Sequence, residues 1–211
     1  MGFHTEPLGL TPLPALPDPR RGQPRAGRFD DPRGEYRILY AARWQRVALR
    51  ESLQNFRRDS RELAVLLKTV GLADLDPPEV EAGWLATRTL AEGVIRCVPG
   101  RSLADLESPE LRRKVLDELA SYLALMGLGH LDIADLRSKL RPVTQAIGRL
   151  FYEKGHAGVV FRSNLPPGGI CVALFEGRSW LEASGRSHRL QDRPPALRHV
   201  AKELGLALPA K

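Results

Sequence analysis

The sequence predicts an α+β domain, and three stretches carry that reading. Residues 36–42 (YRILYAA) alternate apolar positions as a strand does, and the run that follows is free of Pro and Gly through Phe56, which suits a helix. Ser108-Pro109-Glu110 is a helix start, with a capping hydroxyl and then a proline in the first turn. GVVFRS (158–163) and ICVALFE (170–176) are apolar runs separated by NLPPGG, a strand–loop–strand pattern whose turn is supplied by Pro and Gly.

From the N-terminus, residues 1–26 hold many prolines and little periodicity, which predicts an extended lead-in draped over the domain. After the strand at 36–42, the helix divides into three sectors at about 100° per residue. Leu49, Leu53 and Phe56 form an apolar sector, and Arg43, Arg46, Arg50 and Arg57 a solvated one. Trp44, Val47, Ala48, Glu51 and Asn55 form the third, so Glu51 shares its face with apolar groups. An acid is almost never fully buried unless paired, so Glu51 either reaches an open pocket or meets a cation. On its own, a lone Glu in such a place is more often a rim or salt-bridge residue than a catalyst.

Residues 59–70 suit a short helix or an irregular apolar run, and the acidic, proline-bearing 71–82 a loop. GVIRCV (93–98) reads as a strand. The helix begun at Ser108 runs through Met126 and stops at Gly127 or Gly129. Its buried stripe is Leu111, Val115, Leu119 and either Tyr122 or Leu123. Pro142 opens another helix that ends at Gly155, with Ile147, Leu150 and Phe151 in the core. Residues 177–193 are polar with one Trp and suit a further short strand. From Pro194 to Gly205 the spacing of Leu197, Val200, Ala201 and Leu204 is that of an amphipathic helix, which caps the core or serves an interface.

A chain of 211 residues, 43% hydrophobic, suffices for one domain with a real core. No apolar run approaches a membrane span and the N-terminus lacks a signal-peptide pattern, so no membrane association and a cytoplasmic location are expected. Cys97 and Cys171 are too few for a disulfide framework and read as reduced, partly buried thiols. The net charge of +7 and the pI near 9.8 reflect mostly a solvated, Arg-rich surface. Such a balance also suits a phosphate-bearing ligand, nucleic acid or an acidic partner. With 6% aromatic residues and no aromatic–basic interleaving, direct nucleic-acid binding is the weaker option.

His130-Leu131-Asp132 has no second ligand at a helical or hairpin spacing, and His4, His156, His188 and His199 are scattered. A nucleophile elbow, a phosphate-loop lysine motif and a GxGxxG fingerprint are all missing, which argues against a serine hydrolase, a P-loop enzyme and a Rossmann dehydrogenase.

What the sequence does contain is two ordered blocks. The first is Gly27-Arg28-Phe29-Asp30-Asp31-Pro32, Leu39-Tyr40, and Ala48 followed by Glu51. The second is Thr144-Gln145, Gly158 to Ser163, and Leu174-Phe175-Glu176. Over roughly residues 27–176 the chain resembles the RES domain family. Asn164 stands where many relatives have Arg, and the family's early Arg is not placed by Phe3-His4-Thr5, with Arg20, Arg21 and Arg25 as substitutes among which nothing selects.

The resemblance implies an ADP-ribosyltransferase-like fold, with mixed, mostly antiparallel sheets flanked by helices. It implies a catalytic domain over 27–193, with 194–211 its C-terminal helix and tail. It also implies NAD+ as substrate, no separate cofactor or metal, and a toxin restrained by an antitoxin protein that carries a helix-turn-helix segment. A homodimer is left open.

The residues suit that chemistry. Breaking the nicotinamide–ribose bond passes through an oxocarbenium-like cation, which a carboxylate stabilises while it orients the acceptor; Glu51 is the candidate. Arg28 suits the pyrophosphate, Tyr40 offers a ring face and a hydroxyl, and Ser163 a hydroxyl toward the ribose or amide. Three readings follow: an NAD+ glycohydrolase with water or phosphate as acceptor, an ADP-ribosyltransferase acting on a protein or nucleic acid, and a non-catalytic basic binding module in which Arg28 and Glu51 merely pair.

Overall fold

Residues 27–58, 60–69, 75–130, 141–165 and 168–210 are described by the computed structural model of the chain. The Pro-rich lead-in, Arg20, Arg21, Arg25, residues 71–74, Leu131-Asp132 and Pro166-Pro167 lie outside them.

The described residues form an α+β fold, as the sequence predicts. In chain order they are β1 (Ile38–Ala42), α1 (Gln45–Leu53) with a 3-10 turn at Gln54–Phe56, α2 (Ser60–Thr69), α3 (Ala82–Ala86) and β2 (Thr89–Cys97). Then come β3 (Leu103–Asp105), α4 (Pro109–Leu125), α5 (Arg141–Glu153), β4 (Gly158–Arg162), β5 (Ile170–Phe175) and β6 (Ser179–Arg189). A 3-10 turn at Leu190–Asp192 and α6 (Pro195–Glu203) follow.

One sheet has the order β1-β5-β4-β3, antiparallel except for the β3/β4 pair. The other is an antiparallel ribbon of β2 and β6 with a register shift between Ala91 and Gly93. The sheets are mixed and mostly antiparallel with helices around them, as the resemblance implies.

Local chemistry explains most boundaries. Ser108 caps α4, its Oγ accepting the Leu111 N–H at 3.4 Å, with Pro109 at the first helical position. The helix stops where Gly127 takes a positive φ of 75°. Its buried stripe is centred on Val115 and Leu123, which settles the Tyr122-or-Leu123 alternative in favour of Leu123. Residues 60–69 resolve to a helix. The strand expected at 93–98 begins earlier, at Thr89. The short strand expected within 177–193 is eleven residues long.

Among the described residues, two hydrophobic clusters make up the interior. The first joins the four-stranded sheet to α4 and α5 and includes Phe29, Tyr36, Val47, Ile147, Phe151, Phe161 and Phe175. The second joins α1 to α6 and the start of the ribbon and includes Leu49, Leu53, Val80, Leu90, Leu190, Leu197 and Val200. Helix α1 therefore serves both cores: Val47 faces one and Leu49 and Leu53 the other. One member of its predicted basic sector departs from expectation. Arg50 is not solvated; its side chain is 11% exposed and pairs with Glu203 of α6 at 2.7 Å, because the docking of α6 covers that face.

Gly148, inside α5, sits against the backbone of Phe29, and a Cβ there would lie 2.8 Å from the Phe29 carbonyl oxygen. Gly148→Ala is expected to lower stability by about 1–3 kcal/mol through overpacking, read as a lower urea midpoint. A rise of about 0.5–1 kcal/mol, the ordinary helix-propensity gain, would mean that this helix does not press on the 27–31 turn.

Candidate functional site

The site begins with the turn before β1. Asp30 holds it closed: its Oδ2 accepts the Gly27 N–H at 2.5 Å and its Oδ1 accepts the Tyr40 hydroxyl at 2.7 Å. That hydroxyl in turn accepts the Phe29 N–H at 2.8 Å. Burial, reinforced by the Asp30 carboxylate, raises the Tyr40 phenol above its ordinary pKa, so it remains a proton donor to Asp30. Gly27 is required by this closeness, since a Cβ would fall 2.5 Å from the Tyr40 hydroxyl. Asp31 anchors the far side, accepting the N–H groups of Arg33 and Glu35 and meeting Arg149 of α5 at 3.3 Å. Phe29 is buried against Phe161, with ring centroids 4.9 Å apart.

The turn thereby points Arg28 inward, where it is 7% exposed. Its Nη2 donates to Asn164 Oδ1 at 2.7 Å, and its guanidinium lies 5.3 Å from the centre of the Phe161 ring. Its Nη1 is buried and has no hydrogen-bond partner among the described residues. Desolvation lowers the Arg28 pKa, opposed by the charge of Glu51 and assisted by that of Arg141. Asn164 accordingly serves as an acceptor for Arg28.

Glu51 arrives from the other side, on α1, 8% exposed. Its Oε1 accepts the Ser163 hydroxyl at 2.5 Å, and its Oε2 accepts Gln54 Nε2 at 3.0 Å. Ser163 stands just past the end of β4, and its Oγ also accepts the Leu165 N–H at 3.1 Å. A carboxylate offers about four lone-pair directions, so each Glu51 oxygen keeps acceptor capacity. Arg28 and Glu51 feel each other's charge yet form no ion pair within 4.0 Å.

Between the sheets, α1 and α6 lies a cavity of about 1730 Å³. Glu51, Tyr40, Phe161 and Cys171 line it at one part of its wall, and Trp44, Arg46, Leu181, Arg189 and His199 are among its other lining residues. Arg28 and Ser163 are not lining residues; they stand behind Phe161 and Glu51 respectively, in contact with them. Cys171 is buried here, and burial followed by the charge of Glu51 pushes its thiol up to about 12, so it stays protonated.

The structure thus brings Arg28, Tyr40, Glu51 and Ser163 into one neighbourhood. Two of them are engaged differently from the sequence expectation. The Tyr40 hydroxyl is taken by Asp30 and Phe29, leaving its ring to the cavity, and the Ser163 hydroxyl is given to Glu51. Asp30, Gln54 and the buried Gln145, whose Nε2 reaches the Gly27 carbonyl at 3.4 Å, complete the arrangement. Gln54 was findable, since a Gln three residues after a helical Glu shares its face. Nothing local announces the Asp30–Tyr40 bond. His130 is exposed, with the rest of its motif outside the described residues, and no group of three or more His, Cys, Asp or Glu suited to a metal occurs among the described residues. Among them, too, no helix is long and apolar enough to cross a membrane.

No curated protein and no solved structure matches the chain. The model of the RES domain family does, over residues 11–193. That match covers most of the sequence and spans the turn, the helical Glu51 and the strand-end Ser163, so the chain belongs to the RES domain family.

Proposed function

We propose that the protein cleaves NAD+ at the nicotinamide–ribose bond and passes the ADP-ribosyl unit to water or phosphate. The family is one of toxin-like, NAD-acting proteins. The observation that carries the reading within this chain is Glu51: a buried carboxylate at the wall of a large cavity, fixed by two donors and free to accept more.

In the proposed reaction the C1′–N bond of NAD+ breaks and its electron pair leaves with nicotinamide, which becomes neutral. No strong general acid is needed. The positive charge passes to the ribose as an oxocarbenium ion, and the Glu51 carboxylate stabilises it. The acceptor oxygen then bonds to C1′, and its proton is released to Glu51 or solvent. Ser163 and Gln54 hold the carboxylate in one orientation, which lowers the reorganisation needed as charge develops. Arg28, buried in contact with the Phe161 ring and not itself a lining residue, acts on the anionic part of the substrate through the field of its fixed guanidinium. The protonated Cys171 thiol is not a nucleophile in this scheme. Family membership also supports the toxin role, in which NAD+ is drained until an antitoxin partner restrains the enzyme.

Purified protein incubated with NAD+ is expected to release nicotinamide, with ADP-ribose or its 1-phosphate as the second product. Glu51→Gln should lower kcat by about 10²–10⁴ with the circular dichroism unchanged; unaltered turnover would remove Glu51 from the chemistry. Arg28→Ala should raise KM roughly ten- to a hundredfold, whereas Ser163→Ala, which frees the carboxylate, should act mainly on kcat. Label from the ADP-ribosyl moiety retained on a macromolecule would replace the small acceptor with a large one. Iodoacetamide at pH 8 is expected to alkylate Cys97 and spare Cys171, as read by peptide mass spectrometry; equal labelling would contradict the protonated thiol.

A further inference from the structure

We infer that Trp44 is the stacking platform for the purine base of the substrate, a subsite that rests on NAD+ being the molecule bound in this cavity. Large aromatic side chains are ordinarily spent on packing, and an exposed one beside a concave site is informative. Trp44 is 61% exposed and lines the cavity. The other two tryptophans do not line it: Trp84 packs edge-on against Phe56, and Trp180 lies on the ribbon opposite Arg96. The indole of Trp44 makes no hydrogen bond to the described residues. Among the described residues its ring contact is the Arg43 guanidinium, 5.4 Å from the ring centre.

Position on α1 ties this ring to the reacting centre. Trp44 is the N-cap, in extended conformation, at the junction of β1 and α1. Trp44, Ala48 and Glu51 follow the i, i+4, i+7 spacing and share one helix face, and all three line the cavity. Seven residues of helix rise about 10 Å, a separation that the ribose–pyrophosphate–ribose linker of a dinucleotide spans. With the scissile ribose at Glu51, the distant base reaches Trp44. Arg43 and Arg46 line the cavity, stand exposed on the same rim and make no ion pair with an acid among the described residues. They are therefore the cations that the negative linker meets directly, with the buried Arg28 adding its field from outside the lining. Trp44 would then contribute affinity and selectivity, while Glu51 contributes rate.

The probe is AMP, which carries the purine and lacks the scissile bond, with binding measured by calorimetry so that no turnover is needed. Wild-type protein should bind AMP, Trp44→Ala should bind it about tenfold or more weakly, and Trp44→Phe should keep affinity within about threefold. The ratio of kcat/KM for NAD+ over nicotinamide mononucleotide should also fall by about tenfold or more in Trp44→Ala. No AMP binding by the wild type, or equal binding by Trp44→Ala, overturns the subsite. If NAD+ is cleaved but its preference over the mononucleotide survives Trp44→Ala, the subsite fails and the glycosidic reading stands. If AMP binds through Trp44 but nicotinamide is not released, the glycosidic reading fails and the purine subsite stands.

Discussion

The burial of one carboxylate between two cores is the constraint around which this molecule is arranged. Helix α1 has to present Val47 to one cluster and Leu49 and Leu53 to the other, and Glu51 falls on the seam between them. Taking a carboxylate out of water carries an effective penalty of several kcal/mol. Hydrogen bonds to a charged group return about 1.5–3 kcal/mol each, and Glu51 has two, from Ser163 and Gln54. The two quantities are of the same order, with the nearby charge of Arg28 on the favourable side. Glu51 is therefore sustained by its neighbours, and its orientation is set by strand end and helix together.

Arg28 is the buried cation of the site, and its treatment is the complement of that of Glu51. The Asp30 clasp on Gly27 and Tyr40 forces it inward, and Asn164 and the Phe161 ring receive it. Had the guanidinium been brought onto Glu51, each ion would have satisfied the other and the site would be closed to ligands. Instead each holds a neutral partner, the charges interact across a gap, and one guanidinium nitrogen is left with nothing to donate to among the described residues. An inert structural ion pair does not need that geometry, whereas the proposed substrate, which bears a fixed anion and develops a cation, would use it.

Features that depend on neighbours in sequence were legible before the fold. The Ser108 cap, the stripe of α6 and the placement of Glu51 among apolar positions all follow from spacing alone. What escaped has a common cause, which is dependence on a remote partner. Strand β6 exposes nearly all of its side chains, so it carries no alternation and exists as a strand through its pairing with β2. The three-residue β3 is fixed by its register with β4 rather than by composition. Arg50 reads as solvated until α6 lies across it, and the Tyr40 hydroxyl reads as available until Asp30, ten positions earlier, is seen to hold it. In the candidate site, residue identities were readable and the commitments of their polar atoms were not.

Cys171 shows how these commitments support one another. It lies on β5 opposite Ala42, close enough to feel both Glu51 and Arg28. A thiolate at that point would compete with any ligand anion for the guanidinium. Burial and the neighbouring carboxylate both act against ionisation, and together they outweigh the pull of Arg28. The thiol consequently fills space as a small apolar group. Among the described residues the positive charge of Arg28 is thus opposed by the Glu51 carboxylate, held at a distance, and the burial of both groups reduces the screening of their fields by water. The same low-dielectric surroundings that make two buried ions costly are what would let them act on a substrate.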